Sequence, residues 1–220
     1  MIKFGMGVRF GFICSFLMLA ASFAKAQKLL TEGLLSYKIT INSPSGSQAS
    51  GLFNITVKGP LLLRELKMSN GYENVLLINT NAGTIYSMQK RGVRNYAVEL
   101  NLTEFLSKSN KYRGATIIGE QKHKEKFAGL EAYLGFAHYQ DGTDMPVSVS
   151  HEWALQEPFV FECFPDAKFL PLNFSYKDED GNSLKFELDK LNAVPVENSV
   201  FRIPADYKMV SYNEYKSSLK

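Results

Sequence analysis

The chain is poor in the residue types that build most catalytic and metal sites. It has two cysteines and three histidines in 220 residues, and His123, His138 and His151 are widely spaced. The His-Glu-x-x-His zinc pattern, the Gly-x-Ser-x-Gly elbow, the Gly-Lys-Ser/Thr phosphate loop and the Cys-x-x-Cys pair are all missing from it. The sequence therefore predicts a protein that is not an enzyme and uses no cofactor or metal. An enzyme remains the alternative if His138 and His151 converge with Glu152 in one cleft.

The chain also lacks an apolar run of the ~20 residues that span a bilayer. Its longest run, residues 10–21 (FGFICSFLMLAA), follows Lys3 and Arg9 and precedes the small-x-small sequence Ala24-Lys25-Ala26. This is the pattern of a secretory signal peptide. We expect residues 1–26 to be removed, no membrane span in the mature chain, and one domain over residues 27–220.

Within those residues an intramolecular disulfide is excluded, because Cys163 is the only cysteine left. It lies in the run FVFECF, among aromatic side chains. A thiol in such surroundings is expected to be buried and unreactive.

A surplus of charge is missing as well. The whole chain has 25 basic and 22 acidic residues, but three of the basic ones belong to the expected signal peptide. The mature chain is formally neutral, which argues against nucleic acid or an anionic membrane surface as a partner. The densest basic run, residues 122–126 (KHKEK), contains a glutamate and is typical of a solvated strand or sheet edge.

What the chain does have is a series of short strand signals between residues 34 and 100. Six apolar and β-branched runs are separated by turn residues such as Asn70-Gly71 and Asn81-Ala82-Gly83. Such spacing predicts an antiparallel meander. Phe53, Ile55 and Val57 alternate with polar residues, the period of a strand with one buried face.

Further elements follow the meander. Asn101, with Glu104 three residues later, predicts the start of a short helix over residues 101–108, which either lies across the sheet or forms a surface connector. More strands are predicted at residues 116–118, 130–139, 147–155, 172–177 and 183–191. Residues 156–169 (QEPFVFECFPDAKF), with two prolines, are either a helix or a loop that covers an opening.

The predicted strands carry more large apolar side chains than one buried sheet face requires. A strongly curved sheet with an apolar concave face accommodates them, and that face encloses either a packed core or a ligand cavity. The fold class is therefore mainly β (α+β), a half-open β-barrel with one or two short helices. The candidate ligand-contacting residues are Phe53, Ile55, Val57, Leu66, Met68, Leu76, Ile78, Tyr86, Met88, Tyr133, Trp153 and Phe161.

Two segments give the chain a family resemblance. Residues 119–133 contain Gly-Glu followed by Phe-Ala-Gly-Leu-Glu-Ala-Tyr, and residues 200–210 (VFRIPADYKMV) contain a closing Phe-x-Ile-Pro-x-x-Tyr strand. With the signal peptide, meander and short helix, this resembles the LolA/LolB-like lipoprotein-carrier superfamily, including branches found in Bacteroidetes.

The resemblance implies an open antiparallel barrel whose mouth is closed by helices. It also implies a periplasmic protein that binds a lipid, an acyl chain or a lipidated protein. Carriers of this group have an arginine in the cavity, and Arg64 and Arg94 are the candidates for that polar group here. The alternative is a structural or interaction module of the cell envelope, with a packed core and a protein partner.

Overall fold

A computed structural model describes residues 26–178 and 180–219, so the expected signal peptide lies outside the described residues except for Ala26. The described strands are β1 (Lys28–Leu30), β2 (Glu32–Asn42), β3 (Gln48–Lys58), β4 (Leu61–Met68), β5 (Glu73–Asn79), β6 (Thr84–Arg91), β7 (Arg94–Asn101), β8 (Thr116–Phe127), β9 (Leu130–His138), β10 (Asp144–Ser150), β11 (Trp153–Leu155), β12 (Leu170–Lys177), β13 (Ser183–Asn192) and β14 (Tyr207–Ser211). The described helices are α1 (Leu102–Ser107) and α2 (Tyr212–Ser217), together with three 3-10 turns at Asn110–Tyr112, Pro158–Val160 and Asn198–Phe201.

Twelve of these strands form one curved sheet. Its order is β14-β7-β6-β5-β4-β3-β2-β13-β12-β10-β9-β8, so the predicted six-strand meander is confirmed as β2 to β7. The two edges, β14 and β8, are not paired with each other, and the sheet is therefore a half-open barrel, as the sequence predicts. β1 and β11 form a separate parallel pair.

The core lies on the concave face of the sheet, here called the inner face. The alternation predicted for β3 is confirmed, since Phe53, Ile55 and Val57 are all buried. They lie opposite Tyr37, Leu35 and Gly33 of β2, and the same face continues across β13 through Phe186, which pairs with Ile39.

The predicted short helix is also confirmed. The Asn101 side chain accepts a hydrogen bond from the backbone N–H of Glu104 at 3.0 Å, which caps α1. α1 contacts β7 at one edge of the sheet. The second helix, α2, begins with a capping box between Ser211 and Glu214.

Three predicted elements differ from the observed ones. The strand predicted over residues 147–155 is interrupted at His151 and Glu152: β10 has a bulge between Ser148 and Val149, and β11 leaves the main sheet to pair with β1. β8 is much longer than the predicted residues 116–118, and the basic run of residues 122–126 lies on it at the sheet edge, as expected. The closing strand begins only at Tyr207, because Phe201 lies in a 3-10 turn.

Residues 193–206, here called the strap, connect β13 to β14 across the convex face of the sheet, here called the outer face. The first part of the strap is held at Val196, whose N–H donates to Glu32 Oε1 at 2.9 Å while its carbonyl accepts from Lys58. Phe201 is buried next to β4. The strap therefore covers part of the outer face before β14 pairs in parallel with β7.

We expect the start of the strap to loosen in acid. The Val196 N–H, and then Lys58, lower the pKa of Glu32 below its ordinary value of 4.5. A carboxylate with a lowered pKa in the folded state contributes stability above its ordinary pKa and loses that contribution as pH falls through the lowered value. Hydrogen-exchange protection of the Val196 amide should therefore be constant from pH 5 to 7 and fall below about pH 4. Glu32→Gln should have low, pH-independent protection, and an unchanged acid profile in that variant would contradict the assignment.

Candidate functional site

The concave face is filled by residues 156–169, here called the plug. Val160, Phe161, Cys163 and Phe164 are each at most 3 % exposed. The plug contains one 3-10 turn, Pro158–Val160, and no α-helix or strand, so the loop interpretation of this segment is the observed one. Its place in the fold is fixed mainly by side-chain packing.

Aromatic rings join the plug to the sheet. The ring of Phe161 lies 5.5 Å from that of Tyr37, and the ring of Phe164 lies 5.1 Å from that of Phe174, both close to edge-on. The Tyr139 hydroxyl donates to the Cys163 carbonyl at 3.0 Å. Near the end of the plug, the Asp166 carboxylate accepts from the Gly114 N–H and the Lys168 carbonyl accepts from the Gln27 amide. These contacts surround the plug on several sides.

One small cavity remains between the plug and the sheet. Its volume is about 50 Å³, room for one or two water molecules at ~30 Å³ each. Its wall is mainly apolar, but Glu162 and Tyr176 also contribute to it. The residues around it include Phe53, Arg64, Leu66, Phe161, Phe174 and Phe186.

Arg64 is the exceptional side chain in this apolar setting. Its guanidinium carbon lies 5.3 Å from the centre of the Phe53 ring, a cation–π contact. Its Nε is buried and has no hydrogen-bond partner. Burial lowers the pKa of the Arg64 guanidinium, partly offset by Tyr176 and Glu162 nearby. Because arginine titrates far above neutral pH, the group stays charged.

Most of the predicted ligand-contacting residues share the inner face. Phe53, Leu66 and Phe161 line the cavity with Arg64. The others of this group belong to the same hydrophobic cluster or pack on it: Ile55, Val57, Met68, Leu76, Ile78, Tyr133 and Trp153.

The structure does not bring all the predicted residues to the cavity. Tyr86 and Met88 alternate with the buried Ile85 and therefore lie on the outer face. Arg94 is exposed at the start of β7. The cavity residues that the prediction omitted come largely from β12 and β13, namely Phe174, Tyr176, Leu184 and Phe186. Alternation within these two strands is a usable signal, but the sequence does not indicate that β13 pairs with β2 and β12 with β13.

The histidine cluster proposed as the enzyme alternative does not form. His138 Nδ1 lies 2.7 Å from an Asp144 carboxylate oxygen. The His138 side chain is on the outer face, because the adjacent residue, Ala137, is buried in the core on the inner face. His151 lies against the ring of Tyr133 and contacts Glu120 at 3.0 Å. Each histidine thus pairs with a different carboxylate.

Neither a metal-binding cluster nor a membrane-spanning helix is found among the described residues. Residues 26–178 and 180–219 contain no group of three or more histidine, cysteine or acidic side chains that could hold a metal ion. In the same part of the chain, no helix has both the length and the apolar character needed to cross a bilayer.

No protein-family model matches the sequence, and no curated protein matches it. Solved structures similar to this chain include the crystal structure of MucB, with 12% identity over 82% of this chain and a TM-score of 0.41. A structure of MucB in complex with MucA(peri) gives 13% identity over 81% of this chain and a TM-score of 0.38. The chain spans 60% and 57% of the length of these two MucB chains.

A third similar structure is the LolA superfamily protein NE2245 from Nitrosomonas europaea. It has 8% identity and a TM-score of 0.37, and the match covers 80% of this chain and 92% of that protein. At these identities and TM-scores, the similarity carries no conclusion about what the chain binds.

Proposed function

We propose that the protein is a single-domain periplasmic binding protein for a lipid, an acyl chain or another hydrophobic ligand. The ligand is held on the inner face of the sheet, beneath the plug. The observation that carries this proposal is Arg64, whose buried Nε has no hydrogen-bond partner in a largely apolar cavity. Glu162 also lines this cavity and favours the charged guanidinium, but the Nε–H stays unsatisfied. Burying a donor without a partner costs stability, so a purely packed core gains nothing from it.

An amphipathic ligand explains both features of the site. Its polar group accepts hydrogen bonds from the Arg64 guanidinium, and its apolar chain replaces contacts with the cavity phenylalanines. The cavity of about 50 Å³ is too small for an acyl chain. Binding therefore requires the plug to move, and the side chains it buries, such as Phe161 and Phe164, give up their space to the ligand.

A second candidate function is an envelope interaction module with a permanently packed core. It is favoured by an exposed apolar row on the outer face, where Phe136 lies between its cross-strand partners Ile118 and Pro146. Ile118 is 43 % and Phe136 48 % exposed, large values for side chains of this size. Such a row suits contact with another protein.

Native mass spectrometry with lipid extraction separates the two candidates. The protein is secreted with its own leader and purified from the periplasm. A co-purifying acylated species, or saturable binding of palmitate by the apo protein, supports the binding function. An apo protein that binds no palmitate but retains one envelope protein in stoichiometric amount would replace it with the interaction module.

Replacing Arg64 tests whether this buried side chain binds the ligand. Arg64→Met should keep or raise the free energy of unfolding, by up to roughly 3 kcal/mol, because a buried cation with an unsatisfied Nε–H is removed. The affinity for palmitate should fall by about tenfold or more, because a charge-assisted hydrogen bond to the carboxylate is lost. Urea unfolding and fluorescence displacement measure the two quantities.

The matched control is Arg94→Met, since Arg94 is exposed and distant from the cavity. It should change neither quantity appreciably. If Arg64→Met lowers stability by several kcal/mol and leaves palmitate affinity intact, Arg64 is a structural residue and the proposed role of the cavity is wrong.

A further inference from the structure

A ligand-sized space also lies on the opposite side of the sheet from the plug. It is a groove of about 460 Å³ between the strap and strands β4, β5 and β6, here called the outer groove. Small-molecule sites commonly have volumes of ~300–1,000 Å³. The outer groove is therefore large enough to hold a ligand without any rearrangement.

The floor of the outer groove is apolar. Leu63, Val75 and Met88 project from three neighbouring strands, with Val75 directly opposite Met88. All three are partly buried. The facing wall comes from Val200 of the strap and from Tyr207, the first residue of β14. A flat apolar or aromatic group fits between these surfaces, with the thioether of Met88 available for contact with a ring.

The rim of the outer groove is charged, and some of its charged side chains have ion-pair partners while one has none. Both acidic groups are already paired, Glu65 with Lys67 at 2.9 Å and Glu73 with Lys90 at 3.4 Å. Arg202, on the strap, makes no side-chain hydrogen bond or ion pair with any described residue. The groove thus has one cation more than it has anions.

The lysines can also turn toward a ligand at little cost. Lys67 and Lys90 are 50 % and 64 % exposed in their side chains. Ion pairs this exposed contribute at most about 1 kcal/mol each. An incoming anion therefore meets one free guanidinium and two ammonium groups whose existing partners hold them weakly.

We propose that the outer groove is a second binding site, for a small amphipathic anion. Its apolar or aromatic body lies on Leu63, Val75 and Met88, and its carboxylate or phosphate is held by Arg202. This site is separate from the one under the plug, because the outward-facing side chains of β4, β5 and β6 cannot reach the inner face. It stands or fails independently of the lipid-binding function.

Methionine NMR signals can report on ligand binding at the two sites separately. Residues 27–220 contain four: Met88 in the outer groove, Met68 and Met145 buried on the inner face, and Met209 exposed on β14. The secreted protein labelled with 13C at the methionine methyl groups gives one NMR signal for each. It is titrated with 4-phenylbutyrate and, as an uncharged probe of the same shape, 4-phenylbutanol.

Phenylbutyrate should shift the Met88 signal saturably and leave Met68 and Met145 unmoved. Phenylbutanol should bind about tenfold more weakly, because it offers no charge to Arg202. Arg202→Gln should weaken phenylbutyrate to the level of phenylbutanol and leave phenylbutanol unchanged. Arg202 is exposed, so the variant is expected to fold, and the unchanged Met68 and Met145 signals verify this.

Four outcomes would overturn the proposal, and the first three concern Met88 and Arg202. They are no saturable shift of Met88, equal affinities for the acid and the alcohol, and an Arg202→Gln variant that binds phenylbutyrate like the parent. A shift of Met68 in place of Met88 would assign the probe to the site under the plug and also overturn it. If the proposal holds, phenyl phosphate serves as a third probe. Comparing its affinity with that of phenylbutyrate shows whether the site prefers a phosphate or a carboxylate.

Discussion

Cys163 should react with a thiol reagent such as DTNB at least about 1,000-fold more slowly in the native protein than in the urea-unfolded chain, since native labelling requires opening of a packed segment. The Cys163 side chain is fully buried in the plug, and burial raises the pKa of its thiol far above the ordinary value of 9.0. Both effects act in one direction: the reagent cannot reach the sulfur, and the reactive thiolate is depleted. Absorbance at neutral pH follows the reaction.

The control carries its thiol on the exposed turn between β2 and β3, in the double variant Cys163→Ala/Ser45→Cys. It should react at the rate of an unfolded chain. Native labelling of Cys163 at that same rate would mean that the plug is not packed on the sheet. Saturating palmitate should accelerate labelling of Cys163 if the ligand displaces the plug, whereas phenylbutyrate in the outer groove should not.

Phe164→Ala should lower the free energy of unfolding by about 3–5 kcal/mol, the usual cost of removing a buried phenylalanine side chain. Phe164 is 0 % exposed and lies edge-on to both Phe169 and Phe174. Its removal leaves a void that this closely packed core cannot easily close. Urea unfolding monitored by circular dichroism measures the loss.

Phe136→Ala is the matched control, because the same chemical change is made at a side chain that is 48 % exposed. It should alter stability by no more than about 0.5 kcal/mol. A loss below about 1 kcal/mol for Phe164→Ala would show that the plug contributes little to the folded state. If the plug must open for binding, Phe164→Ala should also bind palmitate more tightly, because less packing is given up.

The sequence predicted the local features well, because each depends on neighbouring residues. Alternation set the faces of β2 and β3, and Asn101 with Glu104 set the start of α1. The pairing of β2 with β13 was not predictable, because it joins Ile39 to Phe186 across most of the chain. The plug has no apolar period and contains two prolines, so nothing local marks its buried side chains.

The candidate site is predicted only in part, because the face on which a residue lies depends on the strand register as well as on its size and polarity. Tyr86 and Met88 were assigned to the concave face because they are large and apolar, but the adjacent Ile85 is the residue that points into the core. The outer face is apolar at Met88 because the strap crosses nearby. The covering of the outer face by the strap depends on tertiary structure. Composition alone cannot tell whether apolar residues on a strand contact such a covering segment or a ligand.

The strap and β14 are synthesised after the meander they cover. Until residues 193–219 have emerged, β7 presents an unpaired edge, and the outer face around Leu77 lacks its cover. Unpaired edges of this kind readily join strands of other chains. A growing chain, or one truncated before residue 193, therefore exposes β7 to such pairing, and β14 removes that hazard at this edge of the sheet.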